Sequence, residues 1–380
     1  MVEFVPSVTF PAPGLVLRQG VPYIVYEPVL QKWSRAGLKG NGKPFKLENR
    51  WRQQPVKSLL MIGGGGMGDR IQMTPAMRTM SRQAGCVVDV CHCGSADEWL
   101  GLPYGGNVSL GTPTRRMVES YEGVVELCGV VSETDATEVP LDILFARRFG
   151  VELDDRFPDY WIQPGEERMV SLPEKQRPLR VGLHFGQQAP ARVWPAHYLL
   201  ELAVRLVEDH ADLEVLLLGQ AQEAASWQAN IGGQYYTVPP PSDKIFDYCG
   251  HTPSVRALAV AMKTCDVWVD VDSGPLHLAG ALNIPSVGLY GPFPWAIRGA
   301  NLPSIEPLQA HPDPKREECS CYTHAQRGEP LPCKQQHCSL MEAIKPELVV
   351  EAVRKVVQEH YGRQAQAGAP GRRRRGGQPR

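Results

Sequence analysis

Three short segments of this chain combine residues able to do chemistry with glycines and prolines that shape backbone around a ligand. The first is Gly63-Gly64-Gly65-Gly66-Met67-Gly68-Asp69. Glycine adds no side-chain bulk, so Gly65, Gly66 and Gly68 let backbone come close to a bound molecule. Asp69 follows as a carboxylate that can take a proton, although an aspartate there can also simply cap a helix. The second is His184-Phe185-Gly186-Gln187-Gln188-Ala189-Pro190-Ala191-Arg192-Val193-Trp194-Pro195. Arg192 offers a planar fork that matches phosphate oxygens; the plainer alternative is a surface arginine beside a packed Trp194. The third is Asp272-Ser273-Gly274-Pro275-Leu276-His277. Ser273 or Asp272 can cap a helix there, and Pro275 suits its first turn. Free N–H groups and the helix dipole then make an anion site. Asp272 beside that site can accept hydrogen bonds from ligand hydroxyls. His277 faces the same way one turn in, or is a satisfied core histidine.

These segments need a scaffold, and the pattern around them supplies one. SLLMI stops at the glycines as a buried parallel strand does. TPAMRTMSRQAG reads as a helix, with Thr74-Pro75 as its start and Gly85 as its stop. CVVDVCHCG, VVELCGVV and LDILFARRFGV continue the alternation. A proline-rich passage over 157–178 interrupts it. A second block follows: LRVGLHFG, HYLLELAVRLVEDH, LEVLLLG, SVRALAVAMKTC, DVWVDV, SGPLHLAGALN and SVGLYG, closed by PELVVEAVRKVVQEHYGR. Strand–helix alternation of this kind means α/β with parallel sheets. The expected organisation is an N-terminal extension over 1–56, irregular apart from a short strand near VPYIVYEPVL, and a Rossmann-like domain over 57–163. A linker over 164–178, a second Rossmann-like domain over 179–362 and a disordered basic tail over 363–380 complete it. Ligands in such sheets sit beyond the carboxyl ends of the strands, so a cleft between the domains is the expected site.

The whole chain sets the limits. It has 380 residues, 43% of them hydrophobic, enough for two domains of ordinary size. Its formal net charge of -1 argues against nucleic acid or an acidic membrane surface as a general partner. GRRRRGGQPR at 371–380 is a solvated tail or a weak peripheral contact to phosphates or anionic lipid. No run is long and apolar enough for a membrane helix, and no signal peptide is visible, so a cytoplasmic protein is expected. Disulfides are then not expected to hold it together. Cys86, Cys91, Cys93, Cys128, Cys249 and Cys265 read as small core residues. Cys319, Cys321, Cys333 and Cys338 cluster late in the chain, where four thiolates suit zinc or iron, free thiols being the close alternative.

In order and spacing the three motifs resemble glycosyltransferase family 9, the ADP-heptose:lipopolysaccharide heptosyltransferase family. GMGDRIQMTPAMR matches its Gly-Asp loop before a Thr-Pro helix. HFGQQAPARVWP matches its basic-x-Trp-Pro element, and DSGPLHLAGALNIPSVGLYGP its Asp-Ser/Thr-Gly-x-x-His helix start. The resemblance covers residues 57–355. It implies a GT-B fold, two Rossmann-like domains with parallel sheets facing a cleft, and inverting transfer of a sugar from a nucleoside-diphosphate sugar. Asp69 falls at the family's catalytic base and Arg192 at its cation on the donor diphosphate. Asp272, Ser273, Gly274 and His277 fall in the donor-binding segment, with Gly65, Gly66, Gly68, Gln187 and Gln188 in the adjoining loops. Glu223 falls near the family's ribose contact. No cofactor is expected for catalysis. The late cysteines match a region where some relatives that glycosylate autotransporters hold iron.

The chain also departs from the family pattern. Gly63 stands where an arginine is usual, Gln187 and Gln188 replace hydroxyl residues, and the first domain is short. The acceptor therefore stays open among lipopolysaccharide core, another glycan, a lipid-linked sugar and a protein side chain. Two other readings remain. Gly63-x-Gly65-x-x-Gly68, with Asp89 about 20 residues on, formally fits a dinucleotide fingerprint and hence an NAD(P)-dependent oxidoreductase. A non-catalytic nucleotide-sugar-binding protein is the other.

Overall fold

The computed structural model describes residues 1–12, 15–46, 51, 54–63, 65–92, 97–132, 136–185, 190–221, 228–231, 234–237, 242–310, 321–326, 329, 332 and 338–368. Two parallel sheets organise it. In the first, Leu59–Gly63 is central and buried along its whole length. Val88–His92 pairs on one side with Gly105–Leu110 beyond it, and Gly123–Glu126 pairs on the other. Numbered along the chain, the order is 3-2-1-4. In the second sheet the order is Ile245–Asp247, Leu213–Gly219, Leu179–Phe185, Val267–Val271, Ser286–Tyr290 and Ile305–Gln309. All five pairings are parallel, so its order along the chain is 3-2-1-4-5-6, the Rossmann arrangement. Each sheet reverses direction between its first and fourth strands. Crevices for ligands open at such reversals, beyond the carboxyl ends.

Burial explains the strand composition. Val267–Val271 and Ser286–Tyr290 are buried at every residue, because helices cover both faces of a parallel sheet. Leu199, Leu202, Leu206, Val349 and Val353 from Ala196–Asp209 and Pro346–Gly368 pack one face of the second sheet. Thr74–Ala84 starts with proline in its first turn and stops at Gly85, which is left-handed at φ 72°. Where a single helix was expected after the glycines there are two, because the short helix Met67–Gln72 ends at Met73 before Thr74 begins the next. No helix among the described residues is long and apolar enough to cross a membrane.

Two expectations about the chain ends need correction. The described residues of the extension over 1–56 are folded rather than irregular. Val2–Pro6 pairs antiparallel with Tyr23–Val25 and with Gly40–Pro44, Phe10–Ala12 forms a hairpin with Leu15–Leu17, and Glu27–Arg35 is helical. Phe4, Leu17, Tyr23, Trp33 and Leu38 give it a small core. Ile24 packs the other way, on Leu60, Ile62 and Val124, and its N–H donates to the Pro113 carbonyl at 2.8 Å. The extension thus packs on the first sheet and is bonded to the segment that follows Gly105–Leu110. At the other end the last helix runs to Gly368, past the expected tail boundary at 363. The arginine-rich run 371–380 lies outside the described residues.

Arg256, on the helix Val255–Met262, joins the two halves. Its guanidinium binds both carboxylate oxygens of Glu166 and donates to the carbonyls of Asp97, Leu100 and Trp161. Those carbonyls lie in the first unit and in the passage between the sheets. Burial works against the Arg256 charge, and the hydrogen bond to Glu166 with nearby carboxylates more than offsets it, raising its pKa. Arg256→Ala strips one side of a nearly buried pair, so unfolding in denaturant should show a loss of about 3 kcal/mol. Arg256→Lys should recover only part of it, because an ammonium cannot reproduce the fork.

Candidate functional site

Asp69 sits in the first turn of Met67–Gln72, and its Oδ2 accepts the Gly66 N–H at 2.8 Å. The carboxylate therefore caps its own helix and faces the cleft with the same side chain. The loop before it needs glycine for specific reasons. Gly65 is at φ +94°, and a Cβ there would lie 2.7 Å from Asp69 Oδ2. At Gly68 a Cβ would lie 2.6 Å from His277 Cδ2. Gly274 shows the converse: a Cβ there would meet Met67 Cβ at 2.7 Å. The helices Met67–Gln72 and Gly274–Ala281 thus pack directly on each other and bring the two sheet reversals face to face.

On the opposite wall Ser273 is the N-cap of Gly274–Ala281. Its hydroxyl accepts the Leu276 N–H at 3.3 Å and donates to Asp270 Oδ2 at 2.7 Å. Pro275 has no N–H and that of Leu276 is taken, which leaves the Gly274 N–H as the first-turn donor for an anion. Asp270 is buried and also meets His184 Nδ1 at 3.0 Å. This carboxylate therefore ties the end of the first strand to the cap of the helix after the fourth.

Asp272 holds the cations in place. Arg298 Nε lies 3.3 Å from its Oδ2, Arg192 Nη1 3.5 Å from the same oxygen and 3.0 Å from its carbonyl, and His277 Nε2 3.4 Å from its Oδ1. Burial alone would raise the Asp272 carboxyl. The Arg298 charge, the His277 ring facing Oδ1 and the Arg192 charge outweigh it and hold it well below the usual carboxylate range. Burial opposes the charge on Arg298 too, and the Asp272 and Asp69 carboxylates more than compensate. Arg192 stacks its guanidinium 4.9 Å from the Phe293 ring centre, and its Nε is buried without a hydrogen bond.

A cavity of about 820 Å³ runs between the two walls, within the range of roughly 300–1,000 Å³ usual for small-molecule sites. Gly66, Gly68, Asp69, Arg192, Ser273, Gly274, His277 and Arg298 all line it. Asp272 lies behind that wall, 1% exposed. Its carboxylate faces Arg192, Arg298 and His277 there, where its sequence position suggested ligand hydroxyls as partners. A second cavity of about 380 Å³ opens beyond the carboxyl ends of the first sheet. Ile24, Tyr26 and Val29 of the extension wall it, with Gly65 and Arg70 at its edge.

Gln187, Gln188 and Glu223 lie outside the described residues, as do Cys93, Cys319 and Cys333. Of the late cluster, Cys321 packs with Ala191, Phe293 and Tyr322, and Cys338 with Met341 and Ile344 in the main core. Among the described residues no group of three or more His, Cys, Asp or Glu side chains is placed to hold a metal. Cys91, Cys249 and Cys265 are buried, whereas Cys86 and Cys128 are partly exposed. The dinucleotide reading loses its acidic residue. Asp89 is near the amino end of Val88–His92 and accepts from Tyr121 Oη and the Asn107 N–H, both at 2.6 Å, far from where a ribose would sit. Sequence reasoning missed Arg298, Gln72 and Asn301, whose partners are fixed only by the fold. Asp270 carried a signal, since a carboxylate inside an apolar strand implies a partner.

The Asp272 cluster makes a prediction about pH. An unfolded aspartate titrates near about 3.9, and folding lowers Asp272 below that. Its stabilisation is therefore complete above about pH 4 and is lost as pH falls further. Asp272→Asn should cost about 3–5 kcal/mol at pH 7, because the buried Arg298 and the half-buried Arg192 lose their partner. The gap to wild type should narrow below about pH 4 in denaturation series across pH.

The sequence pattern of "Glycosyltransferase family 9 (heptosyltransferase)" matches residues 141–306. Lipooligosaccharide heptosyltransferase 2 of Campylobacter jejuni is 25% identical over 189 residues, 47% of this chain and 50% of that protein. The chain spans about half the length of the curated relatives it matches first. Among solved structures, ADP-heptose lipopolysaccharide heptosyltransferase II of E. coli aligns with a TM-score of 0.59 at 16% identity, covering 80% of this chain and 99% of that one. The iron-containing dodecameric glycosyltransferase TibC of enterotoxigenic E. coli aligns at 0.55 and 13% identity, covering 94% and 91%. The chain thus carries the sequence pattern of glycosyltransferase family 9 over residues 141–306, set in the GT-B fold of heptosyltransferases.

Proposed function

We propose that this protein is an inverting glycosyltransferase that moves a heptose-like sugar from an ADP-sugar to an acceptor hydroxyl. The observation that carries the reading is the sharing of one cavity by Asp69 on one wall and Arg192, Arg298 and the Gly274 helix start on the other. Residues 57–163 would supply the acceptor side and 179–362 the donor side. The curated relatives support a heptosyl donor by name, and TibC has been solved with ADP-D-β-D-heptose.

The chemistry follows from the two walls. Asp69 Oδ2 is occupied by the Gly66 N–H, so Oδ1 takes the acceptor proton as its oxygen attacks the anomeric carbon. The new C–O bond forms opposite the bond to the diphosphate, which breaks with its electron pair and inverts the centre. Negative charge then grows on the diphosphate, where Arg192, with its unpaired buried Nε, and the helix start stabilise it. These groups are fixed beforehand by Asp272, so little reorganisation accompanies the step. The acceptor would enter beside the glycine loop, and the smaller cavity next to Gly65 offers room for its non-reacting part. Lipopolysaccharide core, another glycan or a protein side chain fit this scheme equally. A structural zinc or iron would be held by Cys319, Cys321, Cys333 and Cys338, and the transfer itself would need no metal.

Transfer from ADP-heptose, followed as ADP release with a panel of acceptors, tests the reading. Asp69→Asn should lower kcat by about 10²–10⁴ and leave ADP affinity close to wild type. Arg192→Ala should weaken ADP binding by about 1.5–3 kcal/mol. Undiminished turnover in Asp69→Asn would remove the base assignment. A wild type that binds ADP without turnover on any acceptor would make the chain a binding protein.

A further inference from the structure

We infer that His277 is held as the neutral tautomer with its proton on Nε2, and that Gln72 is the positioning residue that holds it there. The argument starts at an atom whose role is fixed. The Arg156 backbone carbonyl only accepts, and Asn301 Nδ2 lies 2.9 Å from it. The Asn301 atom facing it must be the amide nitrogen. That nitrogen also lies 2.8 Å from a Gln72 side-chain atom, which must therefore be the oxygen, Oε1. The other end of the Gln72 amide is then its NH₂ group, 3.0 Å from His277 Nδ1. An NH₂ group only donates, so Nδ1 must present its lone pair, and the single proton of a neutral imidazole sits on Nε2.

The consequence reaches the donor wall. His277 Nε2 points at Asp272 Oδ1 across 3.4 Å, and both atoms are buried without a well-formed hydrogen bond. With its proton there, His277 is a donor at that gap and cannot serve as a second base beside Asp69. The relay also crosses the cleft. Gln72 belongs to the first unit, whereas Asn301, His277 and Asp272 belong to the second. Contact between the units therefore fixes the Nδ1 side of the ring, in the same sense that the Asp272 carboxylate favours on the Nε2 side. The use made of this polarity rests on the proposed transferase reading; the tautomer does not.

The test is nitrogen–proton correlation NMR on the full chain labelled with ¹⁵N-histidine, at a pH of about 8 where histidine is ordinarily neutral. The His277→Gln spectrum identifies the His277 signals by their loss. Wild type should show a protonated Nε2 and an unprotonated Nδ1. In Gln72→Glu the carboxylate only accepts, so Nδ1 should become protonated while Nε2, facing Asp272, keeps its proton. Asn301→Asp should produce the same change without touching His277, because Gln72 must turn its NH₂ group toward the new carboxylate. Both variants are compared with wild type in melting temperature and spectral dispersion, and Gln72→Leu, which removes the donor without adding charge, should keep the proton on Nε2, where the Asp272 carboxylate faces it. A wild-type His277 protonated on Nδ1, or an Nδ1 left unprotonated in both Gln72→Glu and Asn301→Asp, would overturn the inference. The spectra need no acceptor, so they stand even if turnover is never found.

Discussion

Two helices can approach as closely as Met67–Gln72 and Gly274–Ala281 do only if each presents a glycine to the side chain of the other. Gly68 faces the His277 ring and Gly274 faces Met67, with no room for a Cβ at either place. This close contact brings the reversal points of two separate sheets together, and the main cavity exists because of it. A four-glycine run taken alone suggests a phosphate cradle. Here Gly68 serves helix packing, and Gly65 serves the left-handed turn that lets Asp69 cap the loop. One stretch of backbone therefore positions the carboxylate and admits the opposite wall.

That opposite wall is built around buried charge. A carboxylate as enclosed as Asp272 is costly unless paired, and three cationic or donor side chains converge on it. The arrangement holds Arg192 and Arg298 at the cavity without a ligand present. Preorganised charge of this kind stabilises a leaving diphosphate more effectively than mobile surface lysines would, since nothing need move as the bond breaks. Asp270 does the equivalent for geometry, linking His184 at the end of one strand to the Ser273 cap after another.

Much of this was legible in the sequence, and what was hidden has a physical reason. Buried parallel strands announce themselves as apolar runs, so Leu59–Gly63, Leu213–Gly219 and Val267–Val271 could be placed. Thr74-Pro75, Gly85 and Ser273 marked helix ends by capping chemistry. The extension was opaque because its sheet owes little to side-chain pattern: Gly40–Pro44 is exposed throughout and joins Val2–Pro6 through backbone pairing. Gln72, Asn301 and Arg298 were opaque for another reason. Each is an isolated polar residue, and Gln72 meets partners 205 and 229 positions away. That Asp272 would meet Arg192 and Arg298 was opaque too, because spacing reports that a carboxylate is near a helix start but not that arginines enclose it.

The central claim is that the cleft is a nucleotide-sugar site and not a dinucleotide site. Thermal denaturation of wild type with ADP, UDP, GDP, CDP and NAD tests it most directly, because a ligand bound only to the native state raises the melting temperature by mass action, with about 2.7 kcal/mol gained at a hundredfold excess over Kd. The account predicts stabilisation by ADP, lost in Arg192→Ala, and no response to NAD. Stabilisation by NAD alone, undiminished in Arg192→Ala, would contradict it.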